Sequence, residues 1–123
     1  IWVSNATMND LEIGSTGGSF PGLSHVNLEN VTLSGDLKMS YTQCGQLDTI
    51  VLIDVTANSI NLTPVDTGYV IYIDNIVLSF NPYIGEECTK IYLTETDVTT
   101  WAYYAHVDGL GIPMETGEYT PPV

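Results

Sequence analysis

From Val31 to Thr42 apolar and polar residues alternate without a break. Val31, Leu33, Gly35, Leu37, Met39 and Tyr41 fall on one side, and Thr32, Ser34, Asp36, Lys38, Ser40 and Thr42 on the other. A period of two puts one face of an extended chain on a core and the other in water. The stretch therefore predicts a strand or a bent pair of strands, with Gly35-Asp36 as a bulge or bend. Val26 and Leu28 fall in the opposite phase, which places a further bulge near Glu29-Asn30. Residues 47–55 and 69–80 are rich in Ile, Val and Tyr on both faces, as in strands that lie centrally or under a second layer. Ile60 and Leu62 mark a shorter strand closed by a turn over residues 64–68, and residues 90–94 form another.

Residues 94–107 carry two patterns at once. Val98, Trp101, Ala102 and Ala105 have helical spacing, Thr94 and Asp97 are placed like a capping box, and Gly109 like a stop. Thr99, Thr100, Tyr103, Tyr104 and Val107 prefer strands, and Trp101, Tyr103, Ala105 and Val107 alternate. Strand is the reading preferred here. No other segment has helical periodicity. The expected fold is an all-β antiparallel sandwich of about seven to nine strands, Ig-like or jelly-roll-like, with at most one short helix.

The ends define the expected organisation. Residues 1–13 read as an apolar strand, residues 14–22 as a flexible Gly/Ser tether, and residues 23–123 as the sandwich body with a Pro/Gly-rich tail. A strand on such a tether can enter its own sheet or that of a neighbour. In the second case Trp2, Met8, Leu11 and Ile13 would fill a groove in the next subunit, and repetition of that contact would build a fibre. The leading expectation for function is thus a subunit of an extracellular filament, pilus or surface layer, assembled by strand complementation with copies of itself as a homo-oligomer.

Composition narrows the partners. In 123 residues there are two Lys, no Arg and fifteen Asp plus Glu, for a net charge of −13. With Lys38 and Lys90 as the only basic side chains of that kind, the chain cannot neutralise a row of phosphates, so neither nucleic acid nor an anionic membrane surface is an expected partner. No apolar run approaches the length of a membrane span. As pH falls towards the sequence pI of about 4.1, lost carboxylate repulsion should tighten self-association.

Cys44 and Cys88 each flank a turn-like stretch and predict a disulfide, which would contribute roughly 4 kcal/mol through loop closure. Asn5-Ala6-Thr7, Asn30-Val31-Thr32 and Asn61-Leu62-Thr63 are acceptor sequons, so Asn5, Asn30 and Asn61 are candidate glycosylation sites. With the cysteine pair, and a first residue other than Met that fits removal of a targeting segment, they predict a secreted or cell-surface glycoprotein.

The competing expectation is a carbohydrate-binding, lectin-like module. Its sugar-stacking rings would be Trp101, Tyr103 and Tyr104, with Tyr83 and Tyr92 as further candidates and Asp97 and Asp108 taking hydroxyls. No cofactor is required. Ca²⁺ would suit the carboxylate excess, with Asp74, Asn75, Glu86, Glu87 and Asp108 as candidate ligands, although no calcium-loop spacing is present. His25 and His106 stand alone in the sequence and predict no zinc site. No nucleophile elbow, phosphate loop or metalloprotease motif occurs, and no spacing singles out a carboxylate pair such as Asp74 with Glu86 or Glu87, so an enzyme is not expected.

Overall fold

The structure, a computed structural model, describes residues 1–14, 19, 21–65, 67–94, 97 and 100–120. The alternation rule locates the strands, and four asparagine or aspartate residues then bend them. Asn5, Asn30, Asp54 and Asn75 have φ of 52°, 52°, 51° and 59°. That left-handed conformation is cheap only for Gly and for residues such as Asn and Asp. Each of these residues sits inside a strand and reverses the alternation phase on its C-terminal side. Val26 and Leu28 are buried before Asn30, and Val31 and Leu33 after it; Ile50 and Leu52 precede Asp54, and Val55 and Ala57 come after it. The phase change expected near Glu29-Asn30 is therefore a corner made by one residue.

The strands are β1 (Trp2–Met8), β2 (Leu11–Glu12), β3 (His25–Leu33), β4 (Asp36–Gln43), β5 (Thr49–Ala57), β6 (Ser59–Val65), β7 (Tyr69–Leu78), β8 (Tyr83–Ile84), β9 (Cys88–Leu93) and β10 (Met114–Thr116). They form a six-stranded sheet in the order β1-β3-β5-β7-β9-β10 and a four-stranded sheet in the order β2-β4-β6-β8. Every pairing is parallel. Consecutive strands from β1 to β9 lie in different sheets, and each from β1 to β7 pairs with the strand two places later, so the chain winds as a β-solenoid. The column Trp2, Asn27, Val51, Tyr72, Tyr92 spaces successive rungs by 25, 24, 21 and 20 residues.

This corrects the antiparallel sandwich. The second apolar face of β5 and β7 is the outer face of the rung stack, where Val51 is buried and Tyr72 half-buried, and the short links are corners rather than reversals. Between β5 and β6 a single residue, Asn58, intervenes; its N–H donates to the Gly35 carbonyl at 2.8 Å in the rung before. The two inner faces meet in one buried cluster that includes Leu28, Leu37, Leu52, Leu62, Ile71, Ile84 and Ile91.

Strand complementation is overturned as well. β1 pairs with β3 and β2 with β4 of the same chain, so residues 1–13 are the first rung of their own solenoid. Ile13 is buried in that core, Met8 and Leu11 pack against it, and Trp2 faces outward at 61% exposure. Of the predicted tether, residues 15–18 and 20 lie outside the described residues; Ser19 forms a parallel bridge with Gln43.

The predicted disulfide is absent: Cys44 and Cys88 are both free and buried. Cys44 closes the β3–β4 rung, bonding through its N–H to the Val65 carbonyl at 3.1 Å in the next rung, whereas Cys88 opens β9 after the rung beyond that. Two rung steps separate their Cα atoms by roughly 10 Å, beyond the ~7 Å a disulfide can span. Burial pushes both thiols up, Cys88 to about 12.

Residues 94–107 are helical over much of their described length, which corrects the strand reading. Asp97, Thr100 and Trp101 are in helical conformation, and α1 spans Ala105–Leu110. Half of the expected capping box forms: the Asp97 N–H donates to Thr94 Oγ1 at 3.3 Å, while the Asp97 carboxylate accepts from the Thr94 hydroxyl at 2.8 Å. Residues 95, 96, 98 and 99, Val98 and Thr99 among them, lie outside the described residues. Burial of Trp101 and Val107, with Tyr104 edge-on to the indole at 5.5 Å, outweighs the strand propensity of the segment. Among the described residues no helix is long and apolar enough to cross a membrane.

Candidate functional site

Inward-facing positions fill the solenoid, so recognition falls to its outer faces. On the six-stranded sheet the residues between the core positions form the outward column Trp2, Asn27, Val51, Tyr72, Tyr92. Stacked registry places equivalent side chains about 4.8 Å apart, and Tyr72 and Tyr92 use it to stack face to face, centroids 4.7 Å apart and planes at 12°. Tyr119, from the segment after β10, leans on Tyr72 at 5.4 Å and 59°. Gly117 makes this return possible, since a Cβ there would lie 2.7 Å from Tyr92 Cδ1.

Tyr119 divides the face into two hollows. One, of about 140 Å³, is lined by residues including Tyr72, Asp74, Thr94, Glu118 and Tyr119. The other, of about 300 Å³, is lined by Ile1, Trp2, His25, Asn27 and Tyr119. Asn27 is 2% exposed, and its Nδ2 has no hydrogen-bond partner. Buried polar groups are nearly always paired, which makes this amide an exception. Lys90 lies 5.5 Å above the Tyr92 ring and 3.3 Å from Glu115, whose hydrogen bond and charge raise the ammonium's pKa.

A further cavity of about 270 Å³ lies at the corner after β8, lined by residues including Pro64, Tyr83, Glu86, Glu87, His106 and Leu110. His106 stacks on Tyr83 at 3.7 Å, and its Nε2 lies 2.9 Å from the Ile84 carbonyl oxygen.

The residues singled out in the sequence are distributed differently from expectation. Trp101 is 1% exposed and its ring belongs to the core, Tyr104 packs against it, and Tyr103 projects alone at 82% exposure. Of the further sugar candidates, Tyr92 stands on the outer face and Tyr83 in the corner cavity. Asp74 lines the smaller hollow, whereas Glu86 and Glu87 line the corner cavity, so these carboxylates do not share a site. Asp97 is engaged with Thr94 and accepts from the Asn75 N–H at 3.2 Å; Asp108 lies on α1. Among the described residues no group of three or more His, Cys, Asp or Glu is arranged to hold a metal ion.

Two sequons coincide with the corners. Asn30 Nδ2 donates to Asn5 Oδ1 at 2.8 Å, as Asn75 Nδ2 donates to Asp54 Oδ1 at 2.8 Å further along the winding axis. The corner thus has its own reason for Asn at positions 5 and 30. Asn61 is half-buried on β6, its Oδ1 accepting from Thr63 Oγ1 at 3.3 Å. Sequence reasoning passed over Asn27, Tyr72 and Tyr119. The signal that leads to Asn27 and Tyr72 is the repeat Asn-Ala-Thr-Met, Asn-Val-Thr-Leu, Asp-Val-Thr-Ala, Asn-Ile-Val-Leu at residues 5, 30, 54 and 75, which fixes the column three positions upstream of each corner; the repeat gives no cue to Tyr119.

Comparison with protein-family models, with curated proteins and with solved structures gave no match to this chain.

Proposed function

We propose that this chain is a carbohydrate-binding β-solenoid domain, acting outside the cell, that lays a neutral oligosaccharide along the outer face of its six-stranded sheet. The observation that carries this reading is the pair of rings Trp2 and Tyr119 on the outer face, Trp2 at 61% exposure, with a hollow on each side of Tyr119 and the mutually stacked Tyr72 and Tyr92 beside it. Sugar rings present apolar C–H faces whose hydrogens carry partial positive charge, and these pack on the electron-rich faces of aromatic rings. Four rung steps from Trp2 to Tyr92 span roughly 19 Å, which suits a short oligosaccharide better than a single sugar. The charge of −13 opposes polyanionic chains.

A glycan array followed by calorimetric titration tests the reading. Neutral glycans should bind, and Trp2→Ala and Tyr119→Ala should each weaken binding about tenfold. Absence of binding to every neutral glycan at millimolar concentration would overturn it.

A second reading rests on a different observation. Among the described residues β1 pairs with β3 and is an end strand of its sheet, and a strand edge can take up a further strand. A subunit of an extracellular filament or surface layer could use that edge to stack a rung of one copy on a rung of another, with no strand exchanged. Sedimentation at pH 4 and pH 8 with electron microscopy tests this. Association that strengthens at pH 4 supports it, and a monomer at both pH values removes it.

A further inference from the structure

We infer that the outer face beyond the corners at Asn5, Asn30, Asp54 and Asn75 binds ice, through an uncharged array centred on Thr7, Thr32, Thr56 and Val77. This inference goes beyond the carbohydrate reading and concerns a different face of the solenoid.

The strand segments that leave these corners alternate in one phase. Val31, Val55 and Ile76 belong to the core or pack on it, as do Met8, Leu33, Ala57 and Leu78, and the position between them is exposed in every rung. Register is unbroken there: Thr7 pairs with Thr32, Thr32 with Thr56, and Thr56 with Val77. Four branched side chains therefore stand in line at intervals of about 4.8 Å, over about 14 Å in all. Val77 keeps the shape and puts a methyl where Thr has its hydroxyl. On one flank Asn30 Nδ2 donates to Asn5 Oδ1 and Asn75 Nδ2 to Asp54 Oδ1, each at 2.8 Å. On the other Ser34 Oγ donates to Asn9 Oδ1 at 3.0 Å, with the exposed Asn58 and Ser79 at the same place in the following rungs. These ladders hold the flanks, while among the described residues the Thr7, Thr32 and Thr56 hydroxyls bond to no other protein group.

Charge sets this face apart. In a chain with fifteen carboxylates, the three columns contain one, Asp54, and its Oδ1 accepts from Asn75. By contrast the column Ser4, Glu29, Ile53, Asp74 and the column Glu12, Lys38, Asn61, Tyr83 both carry charge.

Thr and Val are stiff at χ1, so each holds its two branches in a fixed arrangement. Water over the methyl groups is restricted in orientation, and the hydroxyls, free to donate and accept, anchor it. A charged side chain would organise a hydration shell of its own and break the repeat. The rung interval is close to the repeat of water molecules along the a axis of hexagonal ice, so water ordered on the array is already in step with a row of the crystal. No array residue is aromatic, which leaves a sugar without a platform, and a polyelectrolyte finds no row of opposite charge.

The test uses the full chain, made in a host that does not glycosylate so that Asn5 and Asn30 are bare. A single ice crystal held in the protein solution should show thermal hysteresis, a gap between its melting and freezing points, and should grow faceted. Thr32→Lys sets a charge in the middle of the array at an exposed position and should abolish both effects. Thr56→Lys, one rung on, should do the same and replaces the first variant if that one loses its far-UV spectrum. Gln46→Lys makes the same charge change on the exposed turn before β5 and should leave the hysteresis intact. No hysteresis from the folded unmodified chain at millimolar concentration, or undiminished hysteresis in the threonine variants, would overturn the inference. A dimer in sedimentation that Thr32→Lys dissociates, with no effect on ice, would give the face to a second copy and overturn it as well.

Discussion

Replacing Asn30 with Ala and, separately, with Gly tests whether single left-handed residues make the corners of the solenoid. Asn30 has φ of 52° and donates through Nδ2 to Asn5 at 2.8 Å. Alanine would lose that hydrogen bond, worth about 0.5–1 kcal/mol at an exposed site. It would also lose the local side-chain hydrogen bonding that lets Asn, which has the same Cβ, hold a conformation otherwise costing about 1–2 kcal/mol. The two effects act on one residue, so Asn30→Ala should lose about 2 kcal/mol. Glycine loses the hydrogen bond and escapes the steric cost, so Asn30→Gly should lose only about 1 kcal/mol. The assay is urea denaturation tracked by far-UV circular dichroism, on protein made in a host that does not glycosylate. The order of the two variants is decisive. Inside an ordinary strand Gly is less stable than Ala by about 0.5–1 kcal/mol, so Asn30→Gly falling below Asn30→Ala would refute the corner.

Three further outcomes are expected. Native protein should resist thiol-alkylating reagents, because both cysteines are buried and Cys88 is pushed up to about 12; both should label once urea unfolds the chain, and an intact mass showing a bridge in untreated protein would contradict the rung spacing. Trp101→Ala should cost about 3–5 kcal/mol by opening the core, against less than about 0.5 kcal/mol for Tyr103→Ala, whose ring is 82% exposed, as read from paired denaturation curves. Gly117→Ala should push Tyr92 out of its stack, since the added carbon would sit 2.7 Å from the ring; neutral-glycan affinity should fall several-fold while the far-UV spectrum stays the same.

What could be read in the sequence was the direction in which each residue points. The alternation from Val31 puts Val31, Leu33, Leu37 and Met39 inside and Thr32 and Lys38 outside, as the structure has them, and the opposite phase of Val26 and Leu28 marked an irregularity near Glu29-Asn30, read as a bulge, where the structure has the left-handed Asn30. Strand partners were harder, because alternation says which face is buried and nothing about whether the neighbouring strand runs parallel or antiparallel. Pairing is specified instead by recurrence, and the spacing drifts from 25 to 20 residues along the column from Trp2 to Tyr92, which hides it from a reading that treats each strand separately. The same blindness affected the site. Tyr72 and Tyr92 are ordinary strand tyrosines until the register stacks them, and alternation alone makes Asn27 an outward polar residue although it is 2% exposed. Trp101 drew attention as a sugar platform because indole serves cores and ligands equally well, and the helical spacing of its segment was the cue that it faces inward.

Vertical registry also bears on how so acidic a chain stays folded. Residues in successive rungs lie about 4.8 Å apart, close enough for like charges to repel strongly. Across the paired positions of the described strands no two carboxylates face each other: Glu29 sits against Ser4 and Ile53, Asp74 against Ile53, Asp36 against Ser59, and Glu12 against Lys38. Apart from Glu12 over Lys38, these anions are interleaved with neutral residues along the winding axis, and with two Lys and no Arg the molecule tolerates its deficit of cations mainly by spacing. An acid newly placed at Ser4 or Ser59, directly over an existing one, would therefore meet a repulsion that the same substitution on a loop would not.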